Sequence, residues 1–99
     1  MPTRGEILDA LKNVEDPELF MSIVDLGLVY RVEVHEDAVE IDYTLTSPGC
    51  PLSEQIERDI HMNVEIVTEL PIKPKLVWEP VWGPEYMSDE AKISLGYPI

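Results

Sequence analysis

Ninety-nine residues, 44% of them hydrophobic, suffice for one small domain spanning 1-99, with a core too small to enclose a large substrate or cofactor. Twenty Asp and Glu against seven Lys and Arg give a formal charge of -13, which disfavours nucleic acid and anionic membranes as partners, because binding to polyanions draws on counterion release at basic side chains. A single cysteine excludes an internal disulfide, no apolar run approaches the roughly 18 to 20 residues of a membrane span, and the opening MPTRGEILDALKN lacks the apolar core of a signal peptide, so a cytoplasmic protein is expected.

Thr3 followed by Glu6 forms a capping box, and Ile7, Leu8, Leu11 and Val14 recur at helical spacing, which predicts an amphipathic helix over 4-13. That helix should stop before Asp16-Pro17, since proline disfavours the helical conformation in the residue ahead of it. Asp16-Pro17-Glu18 then offers a second helix start, with Ser22 and Asp25 as a weaker capping pair, so one or two short helical turns are expected over 17-26. Gly27 supplies the left-handed conformation that commonly ends a helix.

From Leu28 to His35 polar and apolar residues alternate, with Tyr30, Val32 and Val34 on one face and Arg31, Glu33 and His35 on the other. Val39, Ile41, Tyr43 and Leu45 repeat the pattern after Glu36-Asp37, which predicts an antiparallel hairpin with one buried face. Thr44 and Thr46 fall on the opposite face, beside Glu40 and Asp42. Leu52, Ile56, Ile60, Val64 and Val67 then predict a long helix over 51-69 packed on the hairpin, closed by Pro71.

Lys75-Leu76-Val77-Trp78 reads as a third strand, and Pro74, which has no amide proton, places it at an edge or a strand start. The stretch from Glu79 to Pro84 reads as extended loop with Trp78 and Trp82 as lid or core anchors. Ser88 caps a last short helix with Asp89 and Glu90 in its first turn and Gly96 at its end. The sum is an α+β, two-layer domain: a three-stranded mixed sheet, made of the hairpin plus one edge strand, with helices packed on one face.

The chemistry concentrates in TLTSPGCP, residues 44-51. If Cys50 caps the long helix and Pro51 is its first residue, unpaired backbone amides and the positive end of the helix dipole favour the thiolate there. Such positions lower a thiol pKa from about 8.5 to about 3.5 to 7.5. The competing reading is a small cap residue packed without chemistry. A nucleophilic Cys50 needs a base, and His35 and His61, the two histidines, are both poorly placed for it. A structural zinc site is weaker still, because neither CxxC nor HxxxH spacing occurs. A soft metal or cluster at Cys50 would need ligands from a second copy or a partner. Asp16, Glu18 and Asp25 flank the turns ahead of the first strand; capping accounts for Asp16 and Asp25, against direct ligation or partner contact.

Three ordered motifs carry a family resemblance: Val14-Glu15-Asp16-Pro17-Glu18-Leu19, Ser22-Ile23-Val24-Asp25-Leu26-Gly27-Leu28-Val29-Tyr30, and Thr44 through Pro51. Together with Leu76 to Trp82 and Met87-Ser88-Asp89-Glu90-Ala91, they resemble the small iron-sulfur assembly family of SufT and PaaD proteins over nearly the whole chain. The resemblance implies an accessory factor, not an enzyme, in iron-sulfur cluster assembly or targeting to apo-proteins. It implies Cys50 as a transient cluster or metal contact, with Thr44 and Thr46 on the matching strand end and Asp16, Glu18 and Asp25 on the matching acidic positions. A transient iron-sulfur cluster or iron is the cofactor expected, none of it tightly held by one chain. Apo-proteins or scaffold proteins, and a second copy in a homodimer, are the expected partners.

Two departures stand out. PaaD-type members carry further C-terminal cysteines resembling a zinc site, and here none follows Cys50; Val81 stands where a second proline would be expected. The alternative is an acidic protein-protein adaptor, for example an assembly subunit of a multicomponent oxygenase, in which Cys50 is only structural.

Overall fold

The computed structural model describes residues 2–46 and 53–97. Helix α1 (Arg4–Leu11) opens with the expected capping box: the Thr3 hydroxyl accepts from the Glu6 amide and the Glu6 carboxylate accepts from the Thr3 amide, both at 3.1 Å. Its end tightens, with the amides of Asn13 and Val14 donating to the carbonyls of Ala10 and Leu11. Ile7, Ala10 and Leu11 form its buried face.

The next segment departs from the sequence reading. Between the expected short turns, strands β1 (Glu15–Asp16) and β2 (Met21–Ser22), which were not predicted, pair antiparallel as a two-stranded hairpin. Within it Asp16 caps one helical turn as expected: Oδ1 accepts from the amides of Glu18 at 2.8 Å and Leu19 at 3.1 Å, and the Phe20 amide donates to the Asp16 carbonyl at 2.8 Å. Phe20 completes the reversal at φ 56, a left-handed backbone seldom taken by residues other than Gly and Asn. A second helical turn follows, where the Leu26 amide donates to the Ser22 carbonyl, and Gly27 ends it at φ 75.

Strands β3 (Val29–Val34) and β4 (Val39–Tyr43) form the expected antiparallel hairpin, and β5 (Ile72–Leu76) lies parallel to β4, giving the order β3-β4-β5. A parallel neighbour needs a crossover, which helix α2 (Ser53–Glu65) supplies between β4 and β5. The edge position resolves how Pro74 fits a ladder: β5 has β4 on one side alone, so the missing amide faces away from the sheet. Strand β5 starts three residues earlier than predicted and ends at Leu76. The part of the predicted 51-69 helix before Ser53 lies outside the described residues, and after Glu65 the chain turns, with the amides of Val67 and Thr68 both donating to the Val64 carbonyl.

Both longer helices pack on one face of this sheet. Ile7 and Leu11 of α1 and Ile56, Ile60 and Val64 of α2 join Val32, Val39, Ile41 and Tyr43 in a single buried cluster, which makes the α+β two-layer arrangement with a three-stranded mixed sheet. The opposite face carries Arg31, Glu33, Glu40 and Asp42, held in cross-strand register. Beyond β5 a short 3-10 turn (Pro84–Tyr86) leads to α3 (Asp89–Leu95), whose N-cap Ser88 accepts from the Ala91 amide and whose C-cap is Gly96 at φ 82.

Candidate functional site

Where β4 ends, the backbone is pinned from both sides. The Thr44 amide donates to the Leu28 carbonyl and the Val77 amide donates to the Tyr43 carbonyl, each at 2.8 Å. Thr44 and Leu45 are consequently buried, while Thr46 is half-buried. This corrects the expectation that Thr44 lies on the polar face with Glu40 and Asp42. Alternation stops at Tyr43, and the pairing of Thr44 with Leu28 turns the segment under the loop that follows β5.

That loop is tied down by Trp82, whose indole Nε1 donates to the Leu26 carbonyl at 2.8 Å, and by Tyr30, whose hydroxyl donates to the Pro80 carbonyl at 3.0 Å. Tyr30 also meets Tyr86 edge-on, with ring centroids 5.9 Å apart at 74°. The result is a largely apolar cavity of about 290 Å³ lined by Thr44, Leu45, Thr46, Trp78, Val81 and Trp82. Trp78 and Val81 are exposed at its rim. The Thr46 end leads directly into residues 47–52, so Cys50 and its predicted helix-capping role lie outside the described residues.

The acidic residues occupy different ground. Asp16 is buried, 4% exposed, with its carboxylate committed to the Glu18 and Leu19 amides, whereas Glu18 itself is exposed. Asp25 contributes its backbone carbonyl, which accepts from the Ser88 amide at 2.8 Å and so anchors α3. Among the described residues none of these three lines the Thr44 cavity. Thr44 and Thr46 are brought together with the two tryptophans and Val81, a grouping that spans more than thirty residues of sequence. No local motif signals it; the two Trp residues flagged as lid anchors were the one available hint.

A family model described as "Iron-sulfur cluster assembly protein" matches residues 4–70, which includes α1, the β1-β2 hairpin, the β3-β4 hairpin, the Cys50 segment and α2. The chain belongs to the iron-sulfur cluster assembly protein family. It is 44% identical over 95 residues to the Fe-S protein maturation auxiliary factor YitW of Bacillus subtilis, covering 94% of this chain and 93% of that protein. It is likewise 44% identical over 85 residues to the Fe-S protein maturation auxiliary factor SufT of Staphylococcus aureus, covering 84% of this chain and 97% of the relative. Among solved structures, a domain of unknown function (DUF59) from Bacillus anthracis superposes with a TM-score of 0.90 at 41% identity, covering 96% of this chain and 92% of that one. The match to members of this iron-sulfur assembly family thus extends past residue 70 to the β5 strand and the tryptophan loop that closes the cavity.

Proposed function

We propose that the protein is an accessory factor in the maturation of iron-sulfur proteins, acting in cluster assembly or in delivery to apo-proteins without turnover of its own. Family membership and the close relatives named as maturation auxiliary factors support this role. Within it, Cys50 makes the transient contact with iron or an iron-sulfur cluster, and Thr44 and Thr46 furnish the rim of that contact.

One observation carries the assignment of the site. The segment bearing Cys50 leaves directly from Thr46, at an apolar cavity bordered by exposed Trp78 and Val81. An apolar, aromatic surround limits solvent access to a metal ligand beside it, which favours a ligand role over a passive cap. A cluster takes several thiolates, and this chain has one cysteine, so the remaining ligands come from a second copy or from the client. The reading is therefore of a shared cluster held in a homodimer or at a client interface, in the cytoplasm. Asp16, Glu18 and Asp25 have a structural and partner-facing part, with Asp16 shaping the β1-β2 turn that presents Phe20, which is 77% exposed.

An adaptor role with a structural Cys50 is favoured by one feature, the formal charge of -13, which suits a basic partner surface. The experiment that separates the two is restoration of an iron-sulfur enzyme's activity in cells lacking this protein. Wild type restores the activity and Cys50→Ser, expressed at equal level, does not; full restoration by Cys50→Ser moves the function to the acidic surface.

A further inference from the structure

The polar face of the sheet holds a cluster that the cavity beside Thr44 does not use. Glu33 and His35 alternate along one strand edge, and Glu40 stands directly across from Glu33 in the β3-β4 register. Two carboxylates in that relation repel unless something positive lies between them. Arg31 supplies part of the answer: Nη1 contacts Glu33 Oε2 at 2.7 Å, Nη2 contacts Glu40 Oε1 at 3.3 Å, and Nε donates to Asp42 Oδ2 at 2.8 Å.

His35 is not explained by that network. Its Nε2 lies 2.8 Å from Glu40 Oε2 and 3.4 Å from Glu33 Oε2, yet the atom is shielded from water and makes no hydrogen bond of proper direction. Donor atoms of Glu33, His35 and Glu40 all fall within 4.8 Å of one another. Ligand atoms about 2.0 to 2.1 Å from zinc stand about 3.3 Å apart at a tetrahedral angle, and the two Nε2 distances bracket that span.

The geometry points to a divalent-cation site formed by Glu33, His35 and Glu40 at the tip of the β3-β4 hairpin, taking a borderline cation such as Zn²⁺ with solvent in the remaining position. One imidazole with two carboxylates is a donor set that suits zinc and ferrous iron better than calcium or magnesium. Arg31 is then the outer partner that orients both carboxylates: it holds Glu40 through Oε1, leaving Oε2 free of the guanidinium, and holds Glu33 through Oε2, the same oxygen that lies 3.4 Å from His35 Nε2. The formal charges of Arg31, Glu33, Glu40 and Asp42 sum to -2, which one divalent ion balances. Lys73 and Lys75 lie in register with Glu40 and Asp42 on the other side, but among the described residues neither forms an ion pair with them. The site does not rest on the function proposed for Cys50.

Zinc titration of the full chain by isothermal calorimetry tests this, in a Cys50→Ser background so that the thiol cannot compete. One saturable site per chain is expected, weakened at least about tenfold by His35→Gln and by Glu40→Gln. His61→Gln, which removes the other histidine, should leave the affinity unchanged. Amide NMR shifts on zinc addition should centre on residues 31 to 42. Absence of a saturable site, equal affinity in His35→Gln, or loss of binding only in His61→Gln would each overturn the proposal. Matching circular dichroism spectra of the variants guard against misfolding, and paramagnetic broadening by Mn²⁺ at the same amides gives a second measurement on the unmutated hairpin.

Discussion

Replacing Gly27 by alanine probes the joint that holds the tryptophan loop over the sheet. Gly27 sits at φ 75, and an added Cβ would stand 2.6 Å from the carbonyl carbon of Tyr86 and closer still to its oxygen. A left-handed backbone costs a residue with a Cβ about 1 to 2 kcal/mol. Forcing the Tyr86 backbone aside adds an overpacking term of about 1 to 3 kcal/mol. The total, about 2 to 5 kcal/mol, is a large share of the stability of a chain this size, and at about 4 to 8 °C per kcal/mol it lowers Tm by roughly 8 to 40 °C. Gly96 is the internal control: its φ is 82, but an added Cβ meets nothing within 4 Å. Gly96→Ala should therefore cost only the backbone term, about 1 kcal/mol, partly offset because alanine also restricts the unfolded chain. Urea and thermal unfolding followed at 222 nm measure both. Because the Trp82 indole is bonded to Leu26 beside this joint, Gly27→Ala should also shift tryptophan emission to longer wavelength. Equal destabilisation by the two substitutions would refute the reasoning, since backbone conformation alone would then explain Gly27.

Asp16→Ala removes the acceptor for two backbone amides and should cost about 1 to 2 kcal/mol in urea unfolding, while Asp16→Asn, which keeps one oxygen, should recover at least half of it. Equal cost from both variants would mean that charge, not turn geometry, is what Asp16 contributes. Burial, with a smaller effect from Glu57, pushes the Tyr43 phenol up to about 12. A group whose folded pKa is raised stabilises the fold fully below its ordinary value near 10, and that contribution is lost as pH rises through 12. Absorbance at 295 nm should accordingly show Tyr43 among the last of the four tyrosines to ionise, together with loss of native circular dichroism. Four ionisations centred near pH 10 in an intact fold would contradict it.

Much of this architecture was legible because local signals and tertiary packing agree. The Thr3 and Glu6 capping box, the alternating hairpin, the Ile56, Ile60 and Val64 stripe and the Ser88 cap each appear as read. Pro74 pointed to an edge or a strand start, and β5 takes the edge with Pro74 inside it. In the 17-26 segment the Asp16 cap and two short turns appear as read, but the β1-β2 pairing between them was not legible, because the left-handed Phe20 that reverses the chain carries no sequence signal for it. Thr44 misled for a different reason. Period two persists through Leu45 in the sequence, but the strand ends at Tyr43, and burial of Thr44 depends on Leu28 and on the loop around Trp82. No window of sequence contains all three. The family likeness was readable from three motifs, whereas the cavity that Thr44 and Thr46 share with Trp78 and Trp82 required the fold.

Contact between Cys50 and a cluster is the central claim. Anaerobic reconstitution with ferrous iron and sulfide, followed by desalting and assay of both per chain, measures it for wild type and Cys50→Ser. Wild type should show visible-region absorbance with iron and sulfide, with a dimer or client needed to complete the ligands, and Cys50→Ser near-background values. Equal iron and sulfide in the two proteins would contradict it.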